Sequence, residues 1–116
     1  NTQIISMAMI ETEEAVSNAA EICATPGLTG IYVGPSDLAI SMGEGPGLDR
    51  KPGKVYDAIQ HVLKTAKNAG IRAGLHCMEP NYIKEMYKTG FEFASLSNDV
   101  RLLTQVVSSQ VTAVRS

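Results

Sequence analysis

An apolar, β-branched run that stops abruptly at a Gly-Pro pair constrains the fold of this chain more than any other stretch. Residues 30–33 read Gly-Ile-Tyr-Val, and a short apolar run bounded by turn residues indicates a buried parallel strand. Pro35 has no N–H to give to a sheet, so the strand must end beside it. Ser36 and Asp37 then open a short helical segment, whose first N–H groups have no intrahelical acceptor and can receive an anion.

A second acid follows the preceding apolar run. Residues near 3 to 10 predict the first strand, which leads directly into Glu11. Thr12 supplies a hydroxyl that can cap the next helix, with acids in its first turn. A carboxylate beside an anion-binding backbone usually needs a cation between them, so this end of the two strands is where we expect the chemistry.

The rest of the chain repeats this alternation of strand and helix. Further strands are predicted at residues 71–76 and 91–97, and further helices from about Val55, from Pro80 and after the cap Asn98. On the last helix, the residues expected to face inward are Val100, Leu103, Val107 and Val111. Each connection is long enough for a crossover helix, which favours a parallel sheet.

Four βα units are half of an eight-unit barrel, which typically needs about 250 residues. A doubly wound sheet could also be built from four or five units. The chain begins at Asn1 without an initiator methionine and enters a strand almost at once. We therefore expect one partial domain, residues 1–116, from a longer protein.

Composition excludes several classes of protein. The chain has 116 residues, a net charge of -2 and 19% charged residues, and its best basic cluster is Arg50, Lys51 and Lys54. That cluster is too small to track a phosphate backbone, so no nucleic-acid partner is expected. No apolar stretch is long enough to span a bilayer, and no signal peptide is evident. Two cysteines, Cys23 and Cys77, are expected to be free thiols in a reducing cytoplasm.

Some candidate residues keep two interpretations. The glycine-rich stretch 43–49 lacks the spacing of a dinucleotide fingerprint or a P-loop, so it is interpreted as a mobile loop. His61 falls off the apolar face of its helix and is expected to be solvated. His76 ends a predicted strand, where it could form a polar wall of the site or simply be hydrogen-bonded, and Tyr32 is expected to be structural.

Several stretches together resemble the second half of the HpcH/HpaI aldolase family, the metal-dependent aldolases that act on hydroxy-oxo acids. They are Ala-Met-Ile-Glu-Thr at residues 8–12, the run at 25–39 that contains Gly-Pro-Ser-Asp-Leu, Ala-Gly-Leu-His at 73–76 and Ser-Asn-Asp at 97–99. The two acids lie 26 positions apart, as in the metal pair of that family. The resemblance covers essentially all of this chain and about half of a family member.

The resemblance implies an α/β fold, the carboxyl-terminal half of a (β/α)8 TIM barrel with strands five to eight. It implies Glu11 and Asp37 as the protein ligands of a divalent ion; two carboxylates with waters suit Mg²⁺ or Mn²⁺, and also Co²⁺. The residues implied in binding a small 2-oxo acid such as pyruvate are Gly34, Pro35, Ser36, Asp37 and Leu75. The arginine and the acid–base pair of the family lie in the absent half, so no catalytic residue is assigned here.

The function implied is a class II pyruvate aldolase, a cytoplasmic carbon–carbon lyase. It would reversibly cleave a 4-hydroxy-2-oxo acid to pyruvate and an aldehyde, with the ion stabilising the enolate. The intact protein is expected to be a homo-oligomer, and this chain alone is expected to be close to inactive. Two alternatives remain: a non-catalytic half-barrel that must pair with another half, and a lyase like the citrate-lyase and malyl-thioester lyases.

Overall fold

In the computed structural model, which describes residues 2–116, four parallel strands form one sheet in the order β1-β2-β3-β4. The strands are β1 (Met7–Ile10), β2 (Gly30–Val33), β3 (Arg72–Cys77) and β4 (Phe93–Leu96). The helices are α1 (Glu13–Ser17), α2 (Ala19–Cys23), α3 (Pro35–Ser41), α4 (Lys54–Asn68), α5 (Pro80–Thr89) and α6 (Asp99–Arg115). The prediction of four consecutive βα units with parallel strands is confirmed.

The helix ends follow the local sequence signals. Thr12 caps α1, with its hydroxyl oxygen accepting a hydrogen bond from the Ala15 N–H at 3.0 Å, and Asn98 caps α6 in the same way. Gly90 ends α5 with a left-handed φ of 119°, which a residue with a side chain would adopt only under strain. One feature was missed, because the first predicted helix divides at Asn18 into α1 and α2.

One face of the sheet is covered and the other is bare. Ile10, Ile31, Val33 and Leu75 have no exposed surface and pack under the helices with Ile59 and Val62 of α4. Strand residues alternate between faces, so their neighbours point the other way. On that side Met9 is 52% exposed and Phe93 is 50% exposed. An apolar face that this chain does not cover is the expected appearance of the inner wall of an incomplete barrel.

The last helix corrects a prediction. Val100, Leu103, Val107 and Val111 were expected to face inward, but each is at least 41% exposed and no residue of α6 is buried. The apolar face exists, since the pattern has helical period, but no other helix or strand of the described chain packs along it. Among residues 2–116, no helix is long and apolar enough to cross a membrane.

Replacement of Leu75 tests the assignment of its side chain to the core. Leu75→Ala removes a fully buried side chain, so we expect the free energy of unfolding to fall by about 2–5 kcal/mol in urea titrations. The matched control is Leu96→Ala on β4, where the leucine is 41% exposed and the loss should be about 1 kcal/mol. Equal losses in the two variants would contradict this packing.

Candidate active site at the carboxyl edge of the sheet

Strand register places four positions in one row at the carboxyl edge of the sheet. Ile10 pairs with Val33 and Val33 pairs with Leu75, so the next residues along, Glu11, Gly34 and His76, lie level with one another. His76 pairs with Ser95 of β4, which completes the row. Because side chains alternate along strands, this row faces the bare side of the sheet, opposite the helices.

Glu11 and Gly34 lie in direct contact across this row. A Cβ atom on Gly34 would stand 3.1 Å from Oε2 and 3.2 Å from Cβ of Glu11, and 3.4 Å from Cε of Met9. A side chain at position 34 would therefore press against Glu11 and displace its carboxylate by a few tenths of an ångström. The N–H of Gly34 donates to the Ile10 carbonyl at 3.1 Å, which fixes the two strand ends against each other.

Asp37 lies one helical turn from that contact. Gly34 is the N-cap of α3, Pro35 takes the first helical position, and Asp37 is in the first turn with its side chain exposed. Pro35 is buried and Ser36 is half-buried. An additional bond, from the Glu13 N–H to the Ser41 Oγ at 2.9 Å, ties α3 to the start of α1. Two elements thus hold the two acids at one edge.

Leu75 does not reach this edge with its side chain. It has no exposed surface and belongs to the hydrophobic core under the helices. Alternation along β3 instead turns the neighbouring His76 toward the bare face, where it is half-buried. Leu75 was expected in the substrate site, but its side chain lies in the core. The other expected residues, Gly34, Pro35, Ser36 and Asp37, all lie at the edge.

Sequence reasoning missed a hydrogen-bonded cluster on the bare face. Nδ1 of His76 lies 2.6 Å from Oγ of Ser95. The same Ser95 hydroxyl is hydrogen-bonded to the hydroxyl of Tyr32, and the Tyr32 ring packs against Phe93 with centroids 6.0 Å apart. These residues lie on the same face of adjacent strands. The sequence could reveal this only if the register between the strands were known.

The loop between α3 and α4 was interpreted as mobile, but hydrogen bonds tie it to both neighbouring strand ends. The Gly47 N–H donates to Oγ of Ser36 at 3.3 Å. The Asp49 carboxylate accepts the N–H groups of Met78 at 2.7 Å and Glu79 at 2.8 Å, just before α5. This loop therefore braces the turn that carries Ser36 and Asp37.

The charge of Asp49 also affects the pKa values of two nearby side chains, Cys77 and Tyr82. Burial, and then the negative charge of Asp49, raises the pKa of the Cys77 thiol to about 12. Burial likewise raises the pKa of Tyr82. Both cysteines are buried and free. Cys77 is thus an inert core thiol at neutral pH and not a nucleophile.

The donor set at the edge suits a hard divalent cation. Carboxylate oxygens such as those of Glu11 and Asp37 are what Mg²⁺ and Mn²⁺ prefer, usually with waters and substrate oxygens completing the octahedron. In the described part of the chain, no group of three or more His, Cys, Asp or Glu side chains is arranged to hold a metal ion. The contact of the Glu11 carboxylate with Gly34, the N-cap of the helix whose first turn carries Asp37, is the observation that fits a two-carboxylate site.

Fold and site together define an α/β protein with parallel βα units and an acid pair at the carboxyl edge of its sheet. The family described as HpcH/HpaI aldolase/citrate lyase matches residues 1–105. The chain belongs to this family. A solved HpcH/HpaI family structure from Burkholderia cenocepacia superposes with a TM-score of 0.90 at 30% identity, covering 99% of this chain and 44% of that one. The sheet and helices therefore match part of a TIM barrel.

Curated relatives are aldolases. A hydroxypyruvate/pyruvate aldolase of Rhizorhabdus wittichii is 33% identical over 113 residues, which are 97% of this chain and 45% of that protein. A 5-keto-4-deoxy-D-glucarate aldolase of Klebsiella pneumoniae is 33% identical over 100 residues, 86% of this chain and 38% of that protein. The chain thus spans less than half the length of the curated relatives it matches.

The contact of Glu11 with Gly34 predicts a cost for any side chain at position 34. In Gly34→Ala the new Cβ would stand 3.1 Å from Oε2 of Glu11, so the carboxylate must move. We expect the Mn²⁺ dissociation constant, measured by electron paramagnetic resonance, to rise at least about tenfold. Gly45→Ala is the control, since a Cβ there meets nothing within 4 Å. Unchanged affinity in Gly34→Ala would contradict the geometry.

Removal of the Asp49 carboxylate tests the bracing loop. Asp49→Ala leaves two N–H groups, those of Met78 and Glu79, without their acceptor, so the free energy of unfolding should fall by about 2 kcal/mol. Glu85→Ala on α5 removes an exposed carboxylate and should change stability by less than about 0.5 kcal/mol. If the two variants unfold at the same urea concentration, the hydrogen bonds to Asp49 contribute nothing to stability.

Proposed function

We propose that this chain forms strands five to eight of the (β/α)8 barrel of a divalent-metal-dependent class II aldolase. The whole protein would reversibly cleave a 4-hydroxy-2-oxo acid to pyruvate, or a close relative such as hydroxypyruvate, and an aldehyde. The observation that carries this proposal is the Glu11 carboxylate lying over Gly34, one helical turn from Asp37. Similarity to pyruvate-type aldolases at about one third identity supports it.

Each residue at the edge has a role in this proposal. Glu11 and Asp37 would hold Mg²⁺, Mn²⁺ or Co²⁺ through their carboxylate oxygens. The N–H groups of Ser36 and Asp37, which have no acceptor within α3, would bind the carboxylate of the oxo acid. Gly34 and Pro35 shape the turn so that ligand oxygens can approach the backbone. When bound, the ion supplies Lewis-acid stabilisation for negative charge on the 2-oxo group.

The remaining chemistry would come from the other half of the barrel. The family resemblance puts the enolate-stabilising arginine and the acid–base pair outside this chain. The residues at the edge of this sheet are therefore expected to bind and orient the oxo acid without completing turnover. The bare face, with Met9 and Phe93 about half exposed, supports the need for that half. We also propose a homo-oligomer in the cytoplasm, where the two free cysteines would remain reduced.

A second candidate is a non-catalytic half-barrel that pairs with another half or a second copy. The exposed apolar residues of α6 and of the bare face favour it. A citrate-lyase-like or malyl-thioester-lyase-like reaction also falls within the wider family, and space for a long coenzyme arm in the other half would distinguish it. Gel filtration tests the half-barrel candidate, because a stable monomer of this chain would exclude obligatory pairing.

Metal titration tests the acid pair directly. Glu11→Gln and Asp37→Asn each remove one of the two proposed protein ligands, so Mn²⁺ affinity should fall more than about tenfold in each. In the unaltered chain, pyruvate should tighten Mn²⁺ binding, and this effect should vanish in both variants. Glu14→Gln and Asp57→Asn make the same changes at exposed positions and should leave binding intact. Equal binding in all four variants would exclude the site.

A further inference from the structure

We propose that His76 determines substrate specificity at this site by donating a hydrogen bond to an oxygen on the third carbon of the 2-oxo acid. The inference deepens the proposed function and rests on it. It favours a hydroxylated 2-oxo acid, such as hydroxypyruvate, over pyruvate, whose third carbon is a methyl group. Its basis is the row at the carboxyl edge and the hydrogen-bonded cluster of Tyr32, Ser95 and His76.

Position is the first step of the argument. Glu11, Gly34 and His76 are level on three adjacent strands, and Gly34 between the other two has no side chain. Adjacent strands lie about 4.8 Å apart, so roughly 10 Å separates the backbones of Glu11 and His76. A small oxo acid held over Gly34 would therefore meet Glu11 on one side and His76 on the other.

The hydrogen-bonded cluster leaves one ring nitrogen of His76 available to a ligand. Nδ1 of His76 lies 2.6 Å from Oγ of Ser95, and the same hydroxyl contacts that of Tyr32. We infer that the Tyr32 hydroxyl donates to Ser95 and that Ser95 donates to Nδ1 of His76. A neutral imidazole with Nδ1 as acceptor carries its proton on Nε2. In this direction Nε2–H is a donor that has no partner in the described chain.

Packing holds this cluster in one arrangement. The Tyr32 ring contacts Phe93 at 6.0 Å between centroids. Phe93 in turn occupies the space above Gly74, where a Cβ atom would stand 2.8 Å from its ring. The Tyr32 ring is thus held by Phe93, and the imidazole is oriented by its hydrogen bond to Ser95. Such support is what a specificity-determining donor requires, because its hydrogen-bond direction must be set before the ligand arrives.

Chemistry then selects the ligand. When ionised, the two carboxylates at the edge, Glu11 and Asp37, can only accept hydrogen bonds, whereas Nε2–H of His76 can donate one. A hydroxyl oxygen can accept that hydrogen bond, and a methyl group cannot. A site that offers a donor discriminates against an analogue lacking the acceptor, since the donor is then left unpaired once water is excluded. Hydroxypyruvate satisfies this donor, and pyruvate leaves it unsatisfied.

The test uses the complete barrel loaded with Mn²⁺ and measures dissociation constants of pyruvate and hydroxypyruvate by calorimetry. His76→Asn can keep a contact with Ser95 but has no group at the position of Nε2, so the preference for hydroxypyruvate should fall about tenfold. Pyruvate affinity should stay within about twofold, as expected when only the contact to the third carbon is lost. His76→Gln carries an amide N–H near the position of Nε2 and should recover most of the preference.

Four outcomes would overturn the inference. An unchanged preference in His76→Asn, or a His76→Gln variant no better than His76→Asn, would overturn it while leaving the proposed function intact. Failure of the unaltered protein to bind either oxo acid would overturn the proposed function and this inference with it. Nitrogen NMR of the unaltered protein gives an independent readout: the neutral His76 ring should be protonated at Nε2, and protonation at Nδ1 would contradict the account.

Discussion

The parallel ladder between β1 and β2 is the constraint on which the rest of the site depends. It pairs Ile10 with Val33 and ends with the Gly34 N–H bonded to the Ile10 carbonyl. This register sets Glu11 beside Gly34, and a slip by one residue would turn the carboxylate into the helical layer. The acid pair is therefore a consequence of backbone pairing as much as of the two side chains.

The hydrophobic core and the proposed site occupy opposite faces of the same strands. The side chains of Ile10, Val33 and Leu75 fill the core under the helices, while the alternate positions line the bare face. The loop that carries Asp49 joins the two roles, since it links the turn at Ser36 to the start of α5. In the proposed barrel, a substitution at an alternate position such as His76 would change a contact to the substrate without disturbing the core.

Local signals in the sequence predicted most of the fold. Gly-Pro after Val33, the caps at Thr12 and Asn98 and the left-handed Gly90 each report a boundary through short-range chemistry. The placement of the two acids at one edge could also be predicted, because Glu11 follows β1 directly and Asp37 lies in the first turn of the helix after β2. Leu75 was misplaced and the cluster at His76 was missed for one reason: the face of a strand depends on long-range register. The outward α6 was missed because periodicity identifies an apolar face but not its partner.

Anomalous diffraction from crystals of the complete barrel soaked with Mn²⁺ and pyruvate tests the central claim most directly. The account predicts a manganese peak between the carboxylates of Glu11 and Asp37, within about 2.0–2.3 Å of an oxygen of each. The oxo acid should lie over Gly34. A peak bound by other residues, or an occupied site that leaves Glu11 or Asp37 unligated, would contradict the account.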